Sequence, residues 1–412
     1  MGIIIFGAAL YMFFLKWKKQ YKILRYAPFI VLLVFFISGI AMNVFQEEVQ
    51  GWQYGIATAR GVAGTDFLYH YEAAEDLANG VSLSDLGNIA TRFTFSLSNI
   101  GYFVYAVFLR IVLFTPMIIN RQVSLAICYG IQVVAAIYVC SNIADYISAF
   151  LKSDARGYRI TWWILVSCIS VFQVSNVLMR DVWIFFLLSV FMKLLTRKKI
   201  QHVLCIALLI VIALLRSYTI IITLPLYAYA INRRVAYIGN VCITVLIVGG
   251  SVVLRNAVKL FNVLWEVSYD IQIGEFLQFL LFPNIFNQTG NLINNPDFAY
   301  RAGAGSNHTT IYYILALWNI IIVPLAIVGG VQAIRKRRWD IVGIWWVMLI
   351  NVACLYAIVY GGISEPRHKL MILPALAAAA TYALKSTKPK TLTLCFAGII
   401  SIAAFLLIIN VL

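Results

Sequence analysis

VSLAICYGIQVVAAIYVCSNIAD, residues 123–145, runs for 23 residues with no carboxylate, ammonium or guanidinium before Asp145 at its end. The hydrocarbon core of a bilayer is about 30 Å thick and a helix rises about 1.5 Å per residue, so roughly 20 mainly apolar residues suffice to cross it. This stretch therefore reads as a spanning helix. Similar segments recur on both sides of it, at 27–45, 160–178, 235–254, 310–332, 341–361 and 391–412, with shorter ones at 2–15, 182–196, 201–215, 217–231 and 370–384. They predict an all-α polytopic membrane protein of about twelve spans, built as one membrane domain over 1–412.

Composition leaves little alternative. With 62% hydrophobic and 12% charged residues and a mean hydropathy of +0.89, the chain cannot cover a water-soluble globule with polar surface. The net charge of +16 is dispersed in short clusters between apolar segments rather than along a basic stripe with interleaved aromatics, which excludes nucleic acid as a partner. Cys128, Cys140, Cys168, Cys205, Cys242, Cys354 and Cys395 all lie inside apolar segments without metal-ligand spacing and read as packing residues. Met1 to Leu15 has no basic residue before its apolar run and no small-residue cleavage site after it, so a cleaved leader is not expected.

Lys and Arg concentrate in short loops on the cytoplasmic side of membrane proteins. Lys16 to Lys19 with Arg25, Arg197 to Lys199, Arg233-Arg234, Arg335 to Arg338 and Lys385 to Lys390 are therefore assigned inside. Two long loops then face out: the first, at 46–100, contains short helices and seven of the sixteen acids, and the second lies at 255–309. With that first loop outside and the Lys152 to Arg159 charges inside, an odd number of crossings must separate them. Two apolar stretches do so, 101–119 and 123–145. Arg110 lies in the middle of the first, and a charge at the bilayer centre costs about 2.5–3.5 kcal/mol on insertion scales. Residues 101–116 are therefore expected to form an interfacial or re-entrant helix, ended near Pro116. The alternative places the 152–159 charges outside.

Three outer elements carry chemistry-bearing side chains. In the first loop, residues 66–78 read as a short helix with Thr65 or Asp66 as N-cap and Gly80 as stop. Capping alone is a sufficient role for Asp66. At the outer end of a later helix stand Arg180 and Asp181, where an arginine snorkelling to the interface beside a local partner is equally natural. Late in the chain, Glu365-Pro-Arg367-His368-Lys369 collects cations on an outer loop, against the positive-inside trend, and points to an anionic partner such as a phosphate. A carboxylate base, a second acid and a cationic cradle on one membrane face suit displacement of a phosphate leaving group. The base removes a proton from the acceptor hydroxyl, and the cations stabilise charge on the departing phosphate.

These elements resemble the GT-C class of membrane glycosyltransferases, which includes protein mannosyltransferases, lipid A aminoarabinose transferases and bacterial polysaccharide-assembly transferases. The matching positions are Asp66, Tyr69 or Tyr71, Ala73-Ala74 and Gly80 in the first loop, then Gly101-Tyr102 opening the interfacial helix, and Arg121 opening the next span. Asp181 stands where the class often has a second acid, and Arg367-His368 to Pro374 matches its late Arg-aromatic element, with His in place of the usual Tyr. The N-terminus, outside if 2–15 spans, departs from the class, as does the lack of a paired acidic motif.

The resemblance implies transfer of a sugar from a polyprenyl-phosphate-linked donor to a glycan or lipid acceptor in cell-envelope polysaccharide assembly. The chain would reside in a bacterial inner membrane, with its site on the periplasmic or extracellular face. It further implies Asp66 as the catalytic base, Asp181 as the second acid, and Tyr69, His70, Tyr71 and Glu72 lining the donor or acceptor. Arg180, Arg367, His368 and Lys369 would hold phosphate. Some members of the class hold a divalent cation between acids of two loops and others do not. An O-antigen or capsule polymerase uses the same donor chemistry. A lipid-linked glycan transporter or flippase would instead place ionisable groups at the midplane, and the confident spans here are almost free of charge there. A non-enzymatic scaffold is the remaining class.

Overall fold

The computed structural model describes residues 1–40, 66–82, 100–114, 121–176, 178, 180–197, 199–216, 219–261, 306–360, 370–394 and 397. Among them the regular elements are helices and there is no strand, so the chain is all-α. In order they are α1 (Gly2–Leu24), α2 (Ala27–Ile40), α3 (Asp66–Ala78), α4 (Ile100–Leu113), α5 (Arg121–Phe150), α6 (Ala155–Val166) and α7 (Ile169–Ser175). There follow α8 (Asp181–Leu195), α9 (His202–Leu215), α10 (Ile220–Ile231), α11 (Arg233–Phe261), α12 (Ser306–Arg335), α13 (Val347–Tyr360), entered through a π-helical turn at Ile341–Trp346, and α14 (Leu373–Ser386).

Apolar segments that fall on described residues fold as helices, with one interruption. The stretch 160–178 is broken between α6 and α7, where the Ser167 hydroxyl donates back to the Ile164 carbonyl at 3.2 Å and accepts from Trp318 Nε1 at 3.1 Å. Serine bonding back to its own helix competes with the main-chain ladder and favours a break. By length and composition, one described helix, Val123–Phe150 within α5, is sufficient by itself to cross a bilayer. Several others, such as α2, α4, α9 and α10, have 12–14 residues and fall short of the roughly 20 that a perpendicular crossing takes. At the N-terminus the difference runs the other way. Helix α1 continues from the apolar 2–15 through the basic cluster to Leu24, since Lys and Gln are good helix formers and the first proline is Pro28.

The chain forms two compact units, residues 1–143 with 171–219, and residues 144–170 with 220–412. In the first unit, α1 and α2 meet at Arg25-Tyr26, where Arg25 takes φ 50° and its carbonyl accepts from Trp17 Nε1 at 2.6 Å. Trp17, Tyr21, Tyr26 and Phe29 gather around that corner with ring centroids 5.5–6.3 Å apart.

In the second unit the alanine-rich α14 is buried along most of its length and packs on α12. The approach is so close that a Cβ at Gly329 would collide with the Ala379 carbonyl. Small residues at helix crossings bring backbones together and increase dispersion contact. Helix α6 joins α14 through Thr161 Oγ1 and Thr381 Oγ1, 2.9 Å apart and both buried. Between α11 and α13, Asn351 donates to Asn240 Oδ1 at 2.9 Å and accepts from Thr244 at 2.6 Å, while Asn240 donates to the Gly343 carbonyl at 2.9 Å. Each of these buried amides has partners, as apolar surroundings demand.

Candidate functional site

Helix α3 begins at Asp66 and ends at Ala78, followed by Gly80 in the left-handed region at φ 91°, as the predicted stop requires. The side chains of Asp66 and Tyr69 lie outside the described residues. Further along, His70, Tyr71, Ala73 and Ala74 are buried, and Glu72 is half-buried. The two alanines explain how the helix docks. Ala73 packs with Tyr102, Phe103 and Ala106 of α4, and Ala74 with Tyr105 and Leu109, so the small face of α3 lets the two backbones approach.

That docking sets His70 between two tyrosines. Its ring centroid is 4.8 Å from Tyr102, tilted at 31°, and 4.8 Å from Tyr105, edge-on at 89°. The Arg180 guanidinium lies 4.0 Å from the Tyr102 ring centre, a cation–π contact of about 0.5–2 kcal/mol depending on desolvation. Gly101 makes this approach possible. A Cβ there would stand 2.9 Å from Arg180 Nη1 and 2.8 Å from the Leu215 carbonyl. Gly101-Tyr102 thus acts as a seat, in which the glycine admits the arginine and the next residue supplies the ring beneath it.

Asp181, the first residue of α8, forms an ion pair with Arg216, which follows α9. Both side chains are nearly buried, at 5% and 9% exposure. The helix N-terminus adds a favourable field for the carboxylate. A polar line continues inward, with the Tyr105 hydroxyl donating to Gln132 Oε1 at 2.6 Å and Gln132 Nε2 donating to the Ser175 carbonyl at 3.2 Å. On the last turn of α3, desolvation raises the Asp76 carboxyl above the usual carboxylate range.

Of the residues singled out from sequence, the structure brings His70, Tyr71, Glu72, Arg180 and Asp181 into one unit, on or beside the α3–α4 pair. Arg367, His368 and Lys369 lie outside the described residues. For Arg180 and Asp181 the structure shows partners beyond the dipeptide itself. The arginine takes the ring and the acid takes Arg216. Tyr102 as a platform, Gln132 and Arg216 were not singled out. Gln132 was signalled by being a large polar residue well inside an apolar span, and Arg216 by being a lone outer cation between two apolar segments. Among the described residues no three His, Cys, Asp or Glu side chains converge as a metal set. Chemically, the cluster presents a cation that retains its charge on an aromatic face, beside a histidine able to give or take a proton.

The sequence matches no family model, no curated protein and no solved structure.

Proposed function

We propose that the chain is a polytopic membrane glycosyltransferase of the GT-C type, moving a sugar from a polyprenyl-phosphate-linked donor to a glycan or lipid acceptor on the outer face. One observation carries this reading: α3 of the first long loop, the short helix α4 and the Arg180–Asp181 corner of α8 meet in a single cluster. Three stretches far apart in sequence had each been assigned to the outer face, and transfer chemistry needs them together.

Membrane residence is supported by the apolar side chains turned outward, among them Ile4 at 70%, Val203 at 85% and Leu246 at 71% exposure. An aqueous surface would pay heavily for such patches, whereas lipid does not. The interfacial role of α4 is supported by its 14 residues, about 21 Å of helix against a core of about 30 Å. In this reading Asp66 is the base, and Tyr69, Tyr71 and Glu72 border the acceptor or donor. Arg180 attracts the carrier phosphate, because a guanidinium grips two phosphate oxygens at once, and Arg367, His368 and Lys369 of the late loop are the further phosphate-binding candidates of the sequence. Asp181 holds Arg216 and so stiffens the corner that bears Arg180.

The test is transfer of labelled sugar from polyprenyl-linked donors to candidate acceptors in proteoliposomes, with and without chelator. Asp66→Asn keeps size and capping ability, and turnover should fall by roughly 10²- to 10⁴-fold, the range that proton transfer contributes. Arg180→Gln should weaken donor binding. If Asp66→Asn transfers at the parent rate the assignment of the base is wrong, and if the parent instead moves lipid-linked glycan between leaflets without transfer, the flippase reading replaces this one.

A further inference from the structure

In the second unit, α11 packs one face and leaves the other uncovered. Ala236 and Asn240 are fully buried, and the Asn240 amide, donating to the Gly343 carbonyl at 2.9 Å, fixes which face is turned inward. On the opposite face stand Arg234, Ile238, Val241 and Val245, whose spacing of four, three and four residues lines them up along one side of a helix. All four are exposed, the three apolar ones at 66%, 52% and 64%. From Arg234 to Val245 the helix rises about 16 Å at 1.5 Å per residue, close to half of a hydrocarbon core about 30 Å thick. The stripe is about as long as one leaflet is deep.

One end of this stripe is charged. Arg233 and Arg234 open α11, and its first turn contains no acid. Two cations there oppose the helix's own field, so helix formation does not account for them. Arg233 lies 5.5 Å from the centre of the Tyr229 ring of α10, which holds its guanidinium at this end. The Arg234 main-chain N–H donates to Asn232 Oδ1 at 2.9 Å, so the turn that bears both arginines is capped. Asp340, which acts electrostatically on Tyr229 and Tyr237, accepts two bonds from Arg338, at 2.9 and 2.7 Å. Among the described residues no carboxylate forms an ion pair with Arg233 or Arg234.

An apolar stripe one leaflet long, headed by two guanidinium groups, is complementary to a molecule with a hydrocarbon chain and an anionic head. We infer that this face of α11 binds an anionic phospholipid of the inner leaflet, with an acyl chain along Ile238, Val241 and Val245 and the phosphate at Arg233 and Arg234. Each guanidinium can grip two phosphate oxygens, and cations at the cytoplasmic end of a spanning helix attract anionic lipid. A free phosphate would leave the stripe uncovered. A second copy of the chain is disfavoured by charge: a two-fold contact uses the same patch on both copies, and about the membrane normal it would set the arginines of one against those of the other. The inference rests on the membrane part of the reading above and is independent of the transferase part.

Cys242 stands beside the stripe and is exposed, whereas the other described cysteines are buried. With Cys395 replaced by serine, bimane on Cys242 therefore reports which lipid lies against this face. The full chain is placed in vesicles of phosphatidylglycerol and phosphatidylcholine, with bromine on the acyl chains of one lipid at a time, and the quenching of bimane by each is compared. Phosphatidylglycerol should be preferred by on the order of 30-fold with both arginines present, and by about 5-fold in Arg234→Gln. Arg233→Gln with Arg234→Gln should abolish the preference. Lys18→Gln with Lys19→Gln, the same charge change at exposed residues of the first unit, should leave it intact. If the Gln pair does not fold, Arg233→Lys with Arg234→Lys keeps both charges and must keep a preference. Equal quenching by the two lipids in the parent, an unchanged preference in the Gln pair, or a lost preference in the Lys pair would each overturn the proposal. So would bimane that neither lipid quenches together with disulfide cross-linking through Cys242, which would give the stripe to a second copy. A parent that does not float with the vesicles fails the membrane reading and this inference with it, whereas a parent that binds the lipid but transfers no sugar fails only the transferase reading.

Discussion

Replacing Asp181 by Asn would leave Arg216 charged and without its carboxylate in a place where the two side chains are only 5% and 9% exposed. The cost is dominated by what remains. Removing one partner of a buried ion pair destabilises by about 3–5 kcal/mol, whereas the intact pair contributes little net stability because both ions had to be desolvated. Asparagine retains one acceptor oxygen for Arg216, so about 3 kcal/mol is expected, plus a few tenths from the lost charge at the N-terminus of α8. For domains of 150–250 residues that corresponds to a fall of roughly 6–12 °C in the unfolding midpoint. Asp181→Leu with Arg216→Met removes both charges and should recover at least half of the loss. Thermal unfolding of the detergent-solubilised protein, followed by tryptophan fluorescence, gives the three midpoints side by side. A midpoint for Asp181→Asn within about 2 °C of the parent, or a double variant as unstable as the single one, would refute the role given to this pair.

Three further outcomes are expected. Gly329→Ala sets a methyl group against the Ala379 backbone and should cost about 1–3 kcal/mol by overpacking, read from the same unfolding curves; no loss would mean that α12 and α14 are farther apart. Asp154 caps α6, and the Gly157 N–H that donates to it at 3.0 Å, helped by Lys385, holds its carboxyl below the usual range. A lowered native pKa adds stability above the ordinary carboxylate pKa and loses it as pH falls through the lowered value. Asp154→Ala should therefore melt below the parent at pH 7, with the gap closing in acid; a gap constant with pH would contradict the cap. Cysteines placed singly at Ser84 and Ser306 should both react with an impermeant thiol reagent in intact cells, and labelling of only one would break the assignment of both long loops to the outer face.

Several of these elements were legible before any coordinates. The helix α3 was readable because Gly80 after a run of helix-forming residues is a local stop signal, and its position depends on no distant contact. The helix expected at 101–116 is α4, Ile100–Leu113, readable from its unbroken run of helix-compatible apolar residues. The interruption at Ser167 was not, because the hydroxyl that ends α6 is also held by Trp318, 151 residues away. Arg180 and Asp181 were visible as a dipeptide, but their partners were not. Adjacent charges suggest one local pair, whereas Asp181 pairs 35 residues away with Arg216 and Arg180 rests on Tyr102.

The sequence by itself determined the helical secondary structure of this protein, because that is decided by local quantities. Long apolar runs bounded by glycine, proline and polar stops favour helix wherever they occur. Only tertiary structure decided which side chains share a site. Gly101 became a seat for Arg180 and Gln132 the partner of Tyr105 only when helices distant in the chain packed face to face. Those choices depend on which faces meet and how closely. Close-packed interiors settle that through the combined shapes of many residues rather than through any one segment.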